Sequence, residues 1–587
     1  MSYDSAYDSC PWSRHYTTDY AASRVHGYAN LARLVVDNAR ENRDQLAFTT
    51  VMPNGMSGSL RYGEVDGMSD TFAVYLREVL KVAPGTRVAV QMPNCLAFPV
   101  AALGVFKAGC TLVNVNPLYT ASEMEHQFND AGVEVVVIID MFTDKLARII
   151  DRTPVKHVVV TSVAQWFPAI VQRILKGVLK YWNKAVPELT IEATDIDDAL
   201  EWGRQAQATG NVDCASYWRD LARGDTAVLQ YTGGTTGVSK GSVLTHGNLL
   251  TNIAQIDSVA SDYIEDGKEC VLTALPLYHI FAFTVNMLAF HSRGARNVLV
   301  PSPRPIQNCQ RAIENYPVTW ISGVNTLFNA LLNEEWFNIF PPKTMKVAIA
   351  GGTALHGAVA DRWERVVGCP IAEGYGLTEC SPVVSFNPIG KGSTRNSIGI
   401  PVPGTRVRIV DDAGRTVAPG LPGEIIVQGD QVMQGYWRRD DETAKTLKDG
   451  WLYTGDVAYM DEDGFFHIVD RKKDMVLVSG FNVYPNEVED CIAQLDKVHE
   501  AAVIGVPDAD TGEAVKAFVV KRDPSLTAEE VRTHCKQLLA AYKVPKQVEF
   551  RDELPKTPVG KVLRKELRAE AGGTASATPH GKDTRAA

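Results

Sequence analysis

An α/β fold carrying an α+β module at its C-terminal end is what this sequence predicts, on three observations. Short β-rich runs alternate with helix-length amphipathic stretches over most of the chain, the pattern of layered α/β folds. A stretch from about 399 to 469 is β-rich and punctuated by Gly and Pro. The residues beyond it mix strand-like runs with a capped helix. Of 587 residues, 45% are apolar, 22% charged and 8% aromatic, a globular balance and not that of a disordered or fibrous chain. At about 150 residues per domain, this length suggests roughly four units.

Taken in order, residues 1–16 carry acids and no apolar core segment, so no secretory signal is expected. Strand-like 87–91 leads into helix 97–108 and strand 110–115, and 135–139 leads into helix 143–151 and strand 157–160. These are two β/α units before residue 330. Near the C-terminus, 501–505 and 515–520 read as strands. Thr527, with Glu530 three residues on, caps a helix over 527–541. From Gly572 the chain has almost no apolar residues and is expected to be disordered.

Several function classes are disfavoured. The 59 basic and 69 acidic residues give a net charge of −10, the wrong sign for a nucleic-acid binder. The most apolar runs, such as 97–106, stop far short of the roughly 20 residues of a membrane span. Ten cysteines scattered singly, with no C-x-x-C pair, argue against a structural zinc site or a disulfide framework and for a reducing cytoplasm.

One segment departs from the α/β pattern. Residues 166–187 hold four basic residues and no acid. On a helix, Phe167, Ile170, Val171, Ile174, Leu175, Val178, Leu179 and Trp182 cover one face. Arg173, Lys176, Lys180 and Lys184 fall on the opposite one. Two readings compete: a surface helix packed on the core, or an interfacial helix whose apolar face dips into lipid beside anionic headgroups. The single-sign polar face keeps the second in play.

The most informative segment is Tyr231-Thr-Gly-Gly-Thr-Thr-Gly-Val-Ser-Lys-Gly241. Its glycines permit close backbone approach, its hydroxyls and N–H groups suit a polyphosphate, and its lysine offsets charge. Strand-like 227–230 precedes it, and Thr245-His-Gly-Asn opens a helix after it. Gly237-Val-Ser-Lys-Gly241 also fits the G-x-S-x-G elbow of serine hydrolases, although an elbow does not call for the preceding Thr/Gly run. A Walker A loop needs G-K-[ST], whereas Lys240 lies between Ser239 and Gly241.

This segment resembles the phosphate signature of the acyl-adenylate-forming superfamily, which holds acyl-CoA synthetases, luciferases and peptide-synthetase adenylation domains. Gly234 and Ser239 depart from its commonest form in the way bacterial long-chain fatty acyl-CoA synthetases do. Further motifs follow in the family's order. Gly374-Tyr-Gly-Leu-Thr-Glu379 resembles the adenine and metal motif: Gly374 and Gly376 flank Tyr375, which would stack on adenine. Thr378 would touch the α-phosphate, and Glu379 would hold Mg²⁺ with Thr235. Ala350-Gly-Gly-Thr353 resembles the strand end bordering adenine, through Gly351, Gly352 and Thr353. Tyr453-Thr-Gly-Asp456 resembles the ribose motif, with Asp456 as acceptor. Asp470-Arg-Lys-Lys-Asp-Met475 resembles the interdomain hinge, with Asp470 and Lys473 as hinge residues and Arg471 reaching the ribose. Ser479 and Gly480 would line the coenzyme A channel. Lys556-Thr-Pro-Val-Gly-Lys561 would set Lys561 against carboxylate and α-phosphate, and Leu275-Pro-Leu-Tyr-His-Ile-Phe281 would set His279 where acyl and phosphate meet.

The resemblance, from about Tyr62 to Glu570, implies an adenylate-forming fold. Residues 1–469 would form a large N-terminal domain, 470–475 the hinge, 476–571 a small mobile domain and 572–587 a tail. It implies catalytic roles for Lys561, Glu379, Lys240 and His279. ATP would be bound by Thr232, Gly233, Gly234, Thr235, Thr236, Gly237 and Lys240 together with the later motifs. The implied reaction is ATP-dependent activation of a long-chain fatty acid through an acyl-adenylate to the coenzyme A thioester, with release of AMP and pyrophosphate. Rivals are a medium-chain or aryl-CoA ligase, a fatty acyl-AMP ligase, and a hydrolase using Ser239. Apolar stretches 280–290 and 324–332 are candidates for an acyl tunnel, although core packing predicts the same composition. The expected partners are the fatty acid, ATP, coenzyme A and, through 166–187, an anionic membrane, without nucleic acid. The expected location is cytoplasmic or peripheral on the inner face of the cell membrane.

Overall fold

Runs of Val and Ile that are apolar at consecutive positions, such as 135–139 in strand Val133–Ile139, form strands covered on both faces, the signature of parallel sheets under helices. The computed structural model describes residues 3–16, 23–210, 212–232, 239–390, 394–479, 481–557 and 560–573. Among them are four sheets. The seven-stranded one runs, edge to edge, Thr194–Asp195, His157–Thr161, Val133–Ile139, Arg87–Gln91, Thr111–Asn114, Thr226–Thr232 and Lys240–Thr245, parallel except for the last pair. In the nine-stranded sheet, Leu46–Val51, Arg296–Leu299, Cys270–Thr273, Trp320–Gly323, Val347–Ala350 and Ile371–Gly376 pair in parallel, and antiparallel strands close both edges. Helix Ala97–Lys107 has every residue buried, as an all-round apolar helix inside a layered fold must.

Both expected β/α units are present. Helix 143–151 is shorter than expected: it stops at Ala147, and a single turn, Ile150–Arg152, follows. Pro154 accounts for the end of that turn, since Thr153 before it is extended. The strand Lys240–Thr245 was not foreseen. It pairs antiparallel with Thr226–Thr232, the strand before the glycine-rich segment. The helix after it, His246–Ala260, starts as expected from Thr245, whose side chain accepts from Asn248 N–H.

The β-rich stretch forms a five-stranded antiparallel sheet spanning Arg406–Val410 to Phe466–Arg471. A strap from the N-terminus covers it: Tyr7 and Trp12 are buried, Trp12 meets Phe466 edge-on at 5.6 Å, and Asp8 pairs with Arg408 at 2.8 Å. Beyond Arg471 the last sheet is built on the hairpin Val498–Asp508 and Gly512–Lys521, with Gln547–Arg551 added in parallel. Helix Ala528–Leu538 has the foreseen Thr527–Glu530 cap and ends three residues early. Helix Arg564–Gly573 extends to the start of the expected tail, whose remainder (574–587) lies outside the described residues.

The 166–187 segment forms helix Ala169–Gly177 and a wider turn, Val178–Trp182. Its apolar face divides. Phe167 and Leu175 are buried, with Val171 and Leu179 packed beside them. Ile170, Ile174 and Val178 face outward, and Tyr181 and Trp182 are 77% and 86% exposed. Lys176 is half-buried rather than outward; its charge acts on Asp140, whose carboxyl burial pushes up to about 6. The apolar stripe is wider than the surface it packs on, so one edge seats the helix and the other is left outside.

Candidate active site

Ligand sites of open α/β folds lie beyond the carboxyl ends of parallel strands. Here the ends of Val347–Ala350, Ile371–Gly376 and Thr226–Thr232 open into one cleft of about 1830 Å³. Thr232, His279, Gly351, Gly352, Thr353, Gly374, Tyr375, Gly376, Thr378 and Glu379 line one side, and Asp456, Asp470, Arg471, Lys473 and Lys561 line the other. Most of the residues singled out from sequence therefore meet around one space. Gly233, Gly234, Thr235, Thr236, Gly237 and Gly480 lie outside the described residues. Ser479 is exposed and away from the cleft.

Lys561 reaches the cleft from a turn in which its N–H donates to Thr557 Oγ1 (3.1 Å) and its carbonyl accepts from Thr557 N–H (2.8 Å). Two glycines allow this docking. Gly352 beside Lys561 is required by its backbone, at φ +79°, and a Cβ on Gly560 would fall 2.6 Å from Thr326 Oγ1. Surrounding protein pulls the Lys561 ammonium down to about 8, and Arg471 adds repulsion; Asp456 and Glu379 oppose them. Burial, helped by the charge of Lys561, drives His279 down to about 3, so its ring is neutral. His279 Nδ1 accepts from Phe281 N–H (3.3 Å), which puts the ring proton on Nε2 as a donor. The hydroxyl of Thr353 is buried with no hydrogen-bond partner among the described residues, an unpaired group that a bound anion or carbonyl would satisfy.

Asp456 accepts from Tyr375 OH (2.7 Å) and pairs with Arg471 Nε (3.3 Å), which fixes the plane of the Tyr375 ring. Asp470 accepts from Asn486 N–H (2.8 Å), and burial raises its carboxyl to about 6 against the pull of Arg564. Across the cleft mouth, His356 Nδ1 meets Asp490 (2.8 Å). Beside them burial pushes Glu373 up to about 8.

Lys240, like Ser479, is not among the residues lining the cleft. Its ammonium pairs with Glu442 (2.7 Å) and lies 4.7 Å from the centre of the Tyr436 ring. Tyr436 OH donates to Glu379 Oε1 at 2.7 Å. The sequence reading did not single out Tyr436 or Glu442, because neither sits in a spacing that marks it. Ser239 is followed by a strand and not a helix, so the strand–turn–helix elbow of a serine hydrolase is absent and that reading is withdrawn. Of the candidate tunnel stretches, Ile280, Phe281, Val285, Asn325, Thr326 and Asn329 reach the cleft, whereas Leu327, Phe328, Leu331 and Leu332 pack in the core.

The fold and this site define a nucleotide-activating ligase, and the comparisons agree. The family described as AMP-binding enzyme matches residues 35–437, and its C-terminal domain matches 487–561. The chain belongs to that family. It is 47% identical over 561 residues to a long-chain-fatty-acid–CoA ligase of Yersinia pestis, covering 95% of this chain and 98% of that one. To the enzyme of the same name from Escherichia coli O157:H7 it is 46% identical, covering 96% and 98%. Among solved structures, ATP-bound MatB from Rhodopseudomonas palustris superposes with a TM-score of 0.77 at 27% identity, covering 92% of this chain and 99% of that one.

A lysine held near 8 loses its charge as pH rises through that value. If that charge meets phosphate, kcat/KM for ATP should fall about tenfold per pH unit above about 8. Lys561→Arg, whose guanidinium stays protonated beyond about pH 12, should lack this limb whatever its maximum. ATP titrations across pH check both. A limb retained in the arginine variant would belong to another group.

Proposed function

We propose that this protein activates long-chain fatty acids: the acid and ATP give an acyl-adenylate and pyrophosphate, and coenzyme A then displaces AMP to form the thioester. The observation that carries this reading is Lys561, an ammonium largely withdrawn from water, set beside neutral His279 and facing Asp456 and Glu379. A carboxylate is already a nucleophile, so the first step needs alignment and charge neutralisation, not a general base. Lys561 would bridge the acid and the α-phosphate, and His279 Nε2–H would donate beside it. Asp456 and Arg471 would hold the ribose, Tyr375 the adenine, and Lys240 with the glycine-rich loop the outer phosphates.

The donor set also suits Mg²⁺. Among the described residues no cluster of three or more His, Cys, Asp or Glu is placed to cage a metal. Mg²⁺ commonly uses one or two carboxylates plus substrate phosphates, and Glu379 offers such a carboxylate, with Oε2 left without a hydrogen-bond partner among the described residues. Bound with ATP, the ion would neutralise phosphate charge. The division at 470–475 would serve as a hinge, on which Lys561 leaves and the 479–480 turn arrives for the second step.

The 166–187 segment supports a membrane contact. No helix among the described residues is long and apolar enough to cross a membrane. This one instead exposes an apolar strip ending in Tyr181 and Trp182, with Arg173, Lys180 and Lys184 exposed beside it. Aromatic residues next to cations suit the interface of an anionic bilayer, where the insoluble substrate concentrates.

Three outcomes test the proposal. Incubation with oleate, octanoate or coumarate, ATP and coenzyme A should yield AMP, pyrophosphate and thioester, best with oleate; ADP and phosphate as products would overturn it. Lys561→Ala should slow adenylation about 10² to 10³-fold, the usual cost of one transition-state charge contact, and leave conversion of supplied oleoyl-adenylate near normal. Equal loss in both steps would remove Lys561 from this role. Replacing Arg173, Lys180 and Lys184 by glutamine should weaken binding to anionic vesicles, at about 1 kcal/mol per charge, with activity on detergent-dispersed oleate retained. Unchanged vesicle binding would leave the helix a surface element.

A further inference from the structure

Residues 433–437 are laced to both halves of the phosphate-facing machinery. Met433 N–H donates to the Glu379 carbonyl at 2.7 Å, which ties the segment to the turn Thr378–Cys380. On the other side, Gln434 N–H donates to the Val243 carbonyl (3.1 Å), Val243 N–H to the Gly435 carbonyl (2.9 Å) and Trp437 N–H to the Gly241 carbonyl (2.8 Å). These three bonds tie it to the strand that begins with Lys240. Tyr436, at the centre, is 8% exposed, and its own N–H is held by Thr443 Oγ1 at 2.9 Å. Backbone and ring are both fixed.

We propose that Tyr436 is a positioning residue for adenylate formation, a rigid spacer that sets Lys240 and Glu379 apart and aims both. This rests on the reading of Glu379 as the carboxylate for the divalent cation and Lys240 as the cation for the outer phosphates. Lys240 and Glu379 carry opposite charges on either side of Tyr436, and their simplest response is to pair, which would take the Glu379 carboxylate out of use. Among the described residues they do not pair: the ammonium is held over the ring face and by Glu442, and Glu379 Oε1 is held by the phenol hydroxyl. An aromatic face holds a cation without neutralising it, and the carboxylate that pairs with Lys240 is Glu442 at 2.7 Å, so Glu379 is left without a lysine partner. The hydroxyl fixes one oxygen of a flexible glutamate and leaves the other for a metal. A tyrosine with two torsions does this at little entropic cost, which a longer polar side chain would not.

The test reads binding, not turnover. With ATP and no fatty acid, Mn²⁺ (an oxygen-seeking stand-in for Mg²⁺) is titrated and its free form followed by electron paramagnetic resonance. The near-isosteric Tyr436→Phe should weaken Mn²⁺ binding to the protein–ATP complex about tenfold, the size of one hydrogen bond to a charged group. Its calorimetric affinity for ATP in EDTA should stay within about twofold of the parent, because the ring under Lys240 remains. Tyr436→Leu should lose both. Glu379→Gln separates the layers: unchanged Mn²⁺ binding there would overturn the metal reading and this inference with it. Weakened binding in Glu379→Gln beside unchanged binding in Tyr436→Phe would overturn the inference alone. So would a further full tenfold loss when Tyr436→Phe is added to Glu379→Gln, since a residue acting through Glu379 has nothing left to position.

Discussion

Keeping an ammonium out of water is costly, and the arrangement of the cleft follows from doing so with Lys561. The protein atoms around it and the neighbouring Arg471 both work against its charge, and Asp456 and Glu379 offset only part of this. On the proposed reaction, the phosphate of the nucleotide would supply the rest. The C-terminal part is itself held together by paired charge. Arg564 grips Glu489 at 2.7 Å and Asn486 at 2.8 Å, and Arg568 takes Asp474 at 2.8 Å. Asp470 receives Asn486 N–H, so the end of the antiparallel sheet is fastened to the helix Pro485–Ala493. Across the mouth the His356–Asp490 contact is thinner: one hydrogen bond between half-open groups, easier to release than the network behind it.

Much of this was legible in the sequence, and for identifiable reasons. Valine-rich runs such as Val133–Ile139 declare buried parallel strands, and the Thr527–Glu530 pair declares a helix start, because each is a local rule. The strand Lys240–Thr245 was missed because Lys-Gly-Ser-Val-Leu-Thr has little β character; its partner across the glycine-rich segment makes it a strand. The N-terminal strap was missed for the same reason, since Trp12 packs on Phe466, more than four hundred residues away. Motif residues such as Lys561 and Asp456 were found through a family resemblance and not through chemistry visible in isolation. Tyr436 and Glu442 had neither signal.

The helix at Ala169–Gly177 shows where periodicity stops informing. The stripe of eight apolar residues is real, yet a helical wheel cannot say how much of it a neighbouring surface covers. Here the covered edge is Phe167, Val171, Leu175 and Leu179, and the open edge is Ile170, Ile174, Val178 and Trp182. Lys176 falls on the protein side near Asp140, which leaves three outward cations from this helix rather than four. A scattered exposed residue means little; a contiguous apolar strip beside cations of one sign is a surface with a use.

The charges in and beside the cleft also differ in what carries them. Lys240 and Glu379 sit on strand and turn of the large N-terminal part, joined by the backbone-laced segment 433–437, so they form a unit that cannot separate without breaking sheet-like hydrogen bonds. Lys561 sits on a turn of the C-terminal part that meets the large part by close packing, as where Gly560 lies against Thr326. Contacts of that kind depend on shape, hold no strong bond and can be remade. On the proposed reaction this division has a chemical sense. Charge that must face pyrophosphate through binding and release belongs on the fixed part. Charge needed only while carboxylate and α-phosphate meet belongs on the part that can withdraw, since an ammonium left beside the adenylate would hold back AMP when the thiol arrives.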